Sequence, residues 1–487
     1  MLEKYKKIYK VKLAVLPTMR LIVPRPHLYS PEIAMAMKKE IFARLDAMGI
    51  DYVNIDFLNK EGMIYNETDA DAVADYFKSQ HVNALFIPFC NFGSEGAISR
   101  VAKKLGLPTL IWAPRDPMPP ENFGIRARDS QCGIFAASRV LNTFGVKFTY
   151  IPSCKLESDI FERNFRNFMG AATVVKALNR LRILQIGARP TGFLSVRCNE
   201  AQLLERFGIE IVTLTVQDIY ERWMKVMADQ ESLVHETMST VKNKVDICDV
   251  TEENLEKIAA LKIAMEQAAN EHGCMVGCVN CSDPLRNATG IMPCFVLGDL
   301  TADGLPMICE SDIHGCISAV MALAAELALG CDDPTFLMDL TNRHEFDDDK
   351  ELLWHCGVFP VVLKKEGTLS ELTHHYGAPK EGTCRVNIKN GPLTVMRFDC
   401  AHDQYSVLLA RGRIVDGPST NCTYGWGEFE NWPELEERLI YGPYIHHIVG
   451  VYADIAPVIY EALRYMDGVE ADFFSPSINE IKSALRK

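Results

Sequence analysis

Pro306-Met307-Ile308-Cys309-Glu310-Ser311-Asp312-Ile313-His314-Gly315 is the stretch that decides the fold. A short apolar run ends abruptly in an acid, and an Ala-rich amphipathic segment follows from about Cys316 to Leu329. That is a strand delivering Glu310 to the mouth of a sheet and then a helix, the βα step of a parallel α/β fold. Phe336-Leu337-Met338-Asp339 repeats the pattern 29 residues later (339 − 310). If both strands are parallel, Glu310 and Asp339 share one rim, and hard carboxylates so placed suit a divalent cation. His355 and the pair His446-His447 are candidates to complete the set. Oxygen ligands favour Mn²⁺ or Mg²⁺, and imidazole makes Mn²⁺ or Co²⁺ easier to accommodate. Adjacent strand residues face opposite ways, so one histidine of the pair is expected to point at an ion. Asp312 also reads as the N-terminal charge of the following helix, and His314 as a supporting residue.

Working outward, the first part of the chain alternates strand and helix. Val11–Leu16, Tyr52–Phe57, Ala84–Pro88, Thr109–Trp112 and Phe148–Ile151 read as strands. Ser30-Pro31-Glu32 reads as a cap, a first-turn proline and a first-turn acid for a helix to about Met48. Ile33, Met37, Ile41, Leu45 and Met48 recur along it at helical spacing. A second α/β unit begins near Asn179, with strands at Leu181–Gly187, Ile209–Leu214, Cys274–Cys281 and Met307–Cys309. The character then changes. Cys384–Ile388, the Asn390-Gly391 turn and Leu393–Phe398 read as a β-hairpin. Tyr405–Ala410 and Ile414–Val415 around Arg411-Gly412-Arg413 read as another, and a helix near Ile455–Met466 as the end of the domain. The expected organisation is therefore an N-terminal α/β domain (1–178), a central α/β domain with the carboxylates (179–355) and an antiparallel β-rich domain (356–487).

With 487 residues the chain exceeds one ordinary domain. Its 64 acids and 51 bases leave a net charge of −13, and no long basic patch or zinc-finger spacing appears, so nucleic acid is not the expected partner. Sixteen cysteines are scattered rather than framed, which suggests free thiols in a reducing cytoplasm. Cys274, Cys278 and Cys281 lie close enough to suggest a soft-metal knuckle, but lack a second ligand pair. The basic start Met1–Lys7 lacks a signal-type apolar core, and no apolar run has membrane-spanning length.

Several motifs together resemble the L-fucose isomerase and L-arabinose isomerase superfamily, nearest its fucose isomerase-like branch. They are Met292-Pro293-Cys294, Gly304-Leu305-Pro306, Cys309-Glu310-Ser311-Asp312-Ile313-His314-Gly315, Phe336-Leu337-Met338-Asp339, His355-Cys356-Gly357 and His446-His447. Gly187-Ala188-Arg189-Pro190-Thr191-Gly192-Phe193 resembles the opening of the family's second domain. The resemblance spans nearly the whole chain. It implies two Rossmann-like parallel-sheet domains and a β-rich C-terminal domain, a homotrimer or homohexamer, and bound Mn²⁺. It places Glu310 and Asp339 as metal carboxylates and proton-transfer groups, and His447 as the late ligand. It also implies an aldose–ketose isomerase acting on an open-chain pentose, deoxyhexose or modified hexose through an enediolate. A noncatalytic sugar-binding protein and a metal-dependent sugar lyase remain alternatives.

Arg20 and Arg25 follow the first strand, where a loop is well placed to reach a ligand. Arg20, His355 and His446 are the candidate substrate contacts. Arg189 and Arg197 flank another strand-exit loop, and convergence of such arginines would select a phosphate- or sulfonate-bearing sugar. Asn91–Gly96 lacks the spacing of a dinucleotide fingerprint or a P-loop. With isomerisation redox neutral within the sugar, neither NAD nor ATP is expected.

Overall fold

The computed structural model describes residues 1–22, 29–117, 128–281 and 283–487. Arg25 lies outside them. The described chain forms two compact units, residues 10–176 with 460–465 and 479–487, and residues 1–9 with 177–459 and 466–478.

The N-terminal unit holds β1 (Leu13–Val15), β2 (Tyr52–Val53), β3 (Ala84–Pro88), β4 (Thr109–Pro114) and β5 (Thr149–Cys154). They form one parallel sheet in the order β2-β1-β3-β4-β5. β3 and β4 are buried throughout, as parallel strands covered on both faces must be. The helix Pro31–Ala47 opens as expected: the Ser30 side chain accepts from Ile33 N. Its core face is Ala34, Met37, Ile41 and Leu45, whereas Ile33 is exposed in the first turn.

In the larger unit, β6 (Arg182–Ile186), β7 (Glu210–Leu214), β8 (Asp246–Ile247), β9 (Val276–Val279) and β10 (Met307–Cys309) come next in sequence. All but β8 make a parallel sheet ordered β10-β9-β6-β7. The rest of this unit's strands are β11 (Phe336–Arg343), β12 (Lys350–His355), β13 (Ser370–His374), β14 (Glu381–Asn387), β15 (Gly391–Ala401), β16 (Gln404–Val415), β17 (Thr423–Phe429), β18 (His447–Val451) and β19 (Val469–Ser475). With β8 they form a third sheet. Within it β16-β15-β18-β11-β12-β17 closes on itself, because β16 also pairs with β17, and every pairing in that ring is antiparallel. The fold is thus parallel-sheet α/β followed by an antiparallel barrel.

Three local expectations change. Asp339 does not end a parallel strand: β11 is antiparallel to both neighbours, and Asp339 lies within it, opposite His447 on β18 and Trp354 on β12. Asn390-Gly391 closes no hairpin, because β14 pairs with β13 and β17 while β15 pairs with β16 and β18. The hairpin turn is instead His402-Asp403, with both residues left-handed (φ 51° and 64°), as a tight two-residue turn requires. Arg411–Arg413 is continuous strand, and Gly412 is needed there because a Cβ would sit 2.7 Å from Glu428 O on the neighbouring β17. After the helix Ala456–Leu463, β19 and a further helix, Ile478–Arg486, complete the chain.

Gly450 holds the β18–β11 register. A Cβ there would clash with Met338 Cε and sit 2.7 Å from Phe336 Cζ. Gly450→Val is expected to lower unfolding stability by about 1–3 kcal/mol through overpacking. Urea denaturation of the variant checks this, and an unchanged midpoint would show that Met338 and Phe336 yield without cost.

Candidate metal centre

β10 ends at Cys309, and the next two residues, Glu310 and Ser311, are both left-handed (φ 61° and 57°). Neither is a glycine, so each conformation is strained and must be held by its surroundings. Asp312 provides the anchor. It caps the helix Ile313–Ala328 by accepting from Gly315 N at 2.9 Å, and it is fully buried. The Arg397 guanidinium on β15 engages both its oxygens, with Nη2 donating to Oδ1 at 3.0 Å and Nη1 to Oδ2. Arg397 Nε also donates to Asp399 Oδ2 at 2.9 Å, and Asp399 Oδ1 lies 2.8 Å from His314 Nδ1. Burial opposes the charged form of Asp312, but Arg397 and His447 outweigh it and hold the carboxyl far below the usual range.

Asp312 Oδ2 also takes His447 Nδ1 at 3.0 Å. That bond fixes the ring of a fully buried histidine and aims Nε2 at Glu310 Oε2, 3.0 Å away, and at Asp339 Oδ1, 3.5 Å away. Burial alone would lower the His447 pKa, but the Asp312 bond and the nearby Glu310 carboxylate raise it to about 9. Two further imidazoles face the same carboxylate: His355 Nε2 and His446 Nε2 each lie 3.9 Å from Asp339 Oδ1. Burial works against the charged form of His355, yet the Asp339 charge and then the Cys356 sulfur carry its pKa up to about 10. His446 shifts down instead, from burial and then the charge of His447.

The structure therefore brings together five of the six residues singled out: Glu310, Asp339, His355, His446 and His447. Glu310, His355 and His447 offer one ligand atom each within 4.8 Å of one another, and so do Asp339, His446 and His447. One histidine of the pair is expected to point at an ion, but both rings reach towards Asp339. β18 starts only at His447, so strand alternation does not govern the residue before it. Arg20 belongs to the N-terminal unit. There its guanidinium lies 4.1 Å from the centre of the Phe92 ring, donates from Nε to Gly93 O and faces Glu95 at 3.5 Å.

Asp339 Oδ1, His355 Nε2 and His447 Nε2 are all buried without a properly angled hydrogen bond. The 3.0 Å approach of His447 Nε2 to Glu310 is close but badly directed, so these atoms converge on a common point rather than bonding one another. Two carboxylates with imidazoles make a hard, mixed oxygen–nitrogen set, and the residues fit a divalent cation such as Mn²⁺. The Asp312 carboxylate behind His447 stands where an outer partner would orient a ligating imidazole. Sequence reading missed Arg397 and Asp399. A charged residue inside the apolar strand Leu393–Phe398 was the available signal, because such a residue must be paired.

An α/β sheet that hands a carboxylate to the histidine-bearing rim of an antiparallel barrel defines the class. Comparison with known proteins supports a likeness to the fucose isomerase-like family. Residues 21–179 match the model of the fucose/sulfoquinovose isomerase N-terminal domain. A sulfoquinovose isomerase from Priestia aryabhattai is 24% identical over 410 residues, covering 84% of this chain and 89% of that protein. One from Alkalicoccus urumqiensis is 23% identical, covering 78% and 84%. Among solved structures, a periplasmic solute-binding protein from Actinobacillus succinogenes 130z with bound D-allose aligns over 67% of this chain and 94% of its own. It does so at 13% identity and a TM-score of 0.17, too low to carry any argument.

Arg397→Met would leave Asp312 and Asp399 buried beside each other without their shared cation. Unfolding stability is expected to fall by about 3–5 kcal/mol, the usual cost of removing one partner from a buried ion pair. Chemical denaturation of the parent and the variant measures it. A loss below about 1 kcal/mol would mean that water reaches the pair.

Proposed function

We propose that this protein is a divalent-metal-dependent aldose–ketose isomerase whose substrate is the open-chain form of an anionic sugar, with sulfoquinovose the first to test. The observation that carries the metal dependence is the convergence of buried, unpartnered ligand atoms from Asp339, His355 and His447 beside Glu310. The substrate class rests on the relatives, which are sulfoquinovose isomerases. Glu310, Asp339 and His447 hold the ion, Mn²⁺ by preference. Bound there, it would supply Lewis-acid polarisation of the sugar's carbonyl and neighbouring hydroxyl.

Isomerisation moves one hydrogen between adjacent carbons and one between their oxygens, without net oxidation. Two carboxylates suit that pair of transfers. One of Glu310 and Asp339 takes the carbon-bound proton to give an enediolate of the sugar, and the other assists exchange between the oxygens. His447, locked by Asp312, keeps the two carboxylates in register. His446, whose side chain is 48% exposed, and His355 face the substrate. A homotrimer or homohexamer working in the cytoplasm belongs to the same proposal and rests on the family resemblance.

The test is incubation with Mn²⁺ in deuterated water, with sulfoquinovose, L-fucose and L-arabinose offered separately and products read by NMR. Ketose formation is expected with solvent deuterium at C1, the former carbonyl carbon, because the proton removed from C2 exchanges before one returns to C1. Chelation should abolish it, and Glu310→Gln should lower kcat about a thousandfold while preserving the fold. Carbon-chain cleavage would instead make the protein a lyase. Sugar binding with no hydrogen exchange would make it a binding protein. Full turnover without label, under conditions where exchange is not hidden, would favour hydride transfer.

A further inference from the structure

A second constellation, of sulfur, lies against Glu310, and the proposed isomerisation does not use it. Cys309 ends β10, fully buried, with its Sγ 3.0 Å from Cys281 Sγ and within 4.8 Å of Cys356 Sγ. Cys356, just past the end of β12, has its Sγ 3.8 Å from Cys294 Sγ and 3.3 Å from His355 Nδ1. Cys309, Cys356 and His355 each offer a ligand atom within 4.8 Å of one another, and Cys281, Cys309 and Glu310 do the same. All of these residues belong to the larger unit. They are spread along the sequence, and the exit of β9, the first turn of the helix Cys294–Asp303 and the ends of β10 and β12 bring them together.

Buried thiols usually act as small apolar side chains, and most of the sixteen here need no other role. Four of them linked through sulfur contacts beside an imidazole is a different case. We propose that Cys309 and Cys356, with Cys281 and Cys294, bind a thiophilic divalent cation of the Zn²⁺ type, at a site that adjoins the carboxylate–histidine centre on the far side of the His355 ring. Zinc–sulfur bonds of about 2.3 Å set the sulfur–sulfur edge of a tetrahedral site at roughly 3.8 Å. The Cys294–Cys356 separation is that edge. Cys281 and Cys309 are closer than the edge but about 1 Å beyond disulfide length, so a small side-chain rotation suffices. His355 Nδ1 accepts the Cys356 N–H at 2.9 Å, so the ring braces Cys356 beside the sulfurs rather than ligating the ion itself. Thiolates prefer Zn²⁺, and carboxylates with imidazole prefer Mn²⁺ or Mg²⁺, so the adjoining constellations sort ions by softness. Binding displaces the thiol protons into solvent. None of this rests on the isomerase reading.

The experiment uses the full chain, reduced and stripped of metal by chelation, with Cd²⁺ as a spectroscopic stand-in for Zn²⁺. Titration is expected to raise an ultraviolet thiolate-to-cadmium charge-transfer band that saturates at one equivalent. Asp339→Asn should keep the band, and the double substitution Cys309→Ser with Cys356→Ser should lose most of it. The parent protein gives a second readout: one equivalent of Cd²⁺ should slow iodoacetamide labelling of the partly exposed Cys281 and Cys356 severalfold, read by peptide mass spectrometry. No band at one equivalent, a band that survives the double substitution, loss of the band in Asp339→Asn, or unchanged labelling would each overturn the proposal. If the double variant does not fold, the titration and the labelling of the parent protein decide.

Discussion

The rest of the site depends on a buried chain of charge running from Arg397 through Asp312 to His447. Arg397 and Asp312 are fully buried, and each charge is tolerable there only because the other is present. A pair like this is rarely the cheapest way to fill a core, since apolar side chains of equal volume often serve as well. Its effect here is positional. Asp312 is bonded to a guanidinium on the barrel, to the first turn of its own helix and to His447. It therefore ties the α/β sheet to the barrel within one unit, at the place where the ligand atoms meet.

From that tie the other features follow. Glu310 and Ser311 sit in a strained left-handed conformation between the end of β10 and the helix that Asp312 caps, so the fold bears a local cost to turn the Glu310 carboxylate towards His447. On the barrel, β11 and β18 set Asp339 directly opposite His447, and the small Gly450 keeps the two strands close. The result is a rigid donor set built on a strand end and two paired strands rather than on loops.

Part of this arrangement is legible in the sequence, and the reason for the rest is physical. Glu310 stands out because an acid ending an apolar strand has few structural uses. The parallel α/β rhythm is equally visible, since βα units are local in sequence. The direction of Asp339's strand is not visible, because its partner His447 lies far along the chain and only long-range pairing decides it. The Asn390-Gly391 turn misleads for the same reason: a favourable turn pair cannot hold two strands together when each has better partners elsewhere. Arg397 could have been noticed as a charge inside an apolar strand, yet nothing local names Asp312 as its partner. The sulfur cluster is the extreme case. Cys274, Cys278 and Cys281 look like a group by spacing, but Cys278 and Cys281 part at the end of β9, and Cys281 joins Cys309 instead.

The central claim is that one hard divalent cation is held jointly by the strand-end Glu310 and the barrel residues Asp339 and His447. Crystals of the metal-stripped protein, soaked in Mn²⁺ and measured on either side of the manganese absorption edge, test it most directly. The expected result is one dominant anomalous peak in contact with Glu310, Asp339 and His447. A dominant peak among Cys281, Cys309 and Cys356, or no peak at saturating Mn²⁺, would contradict it.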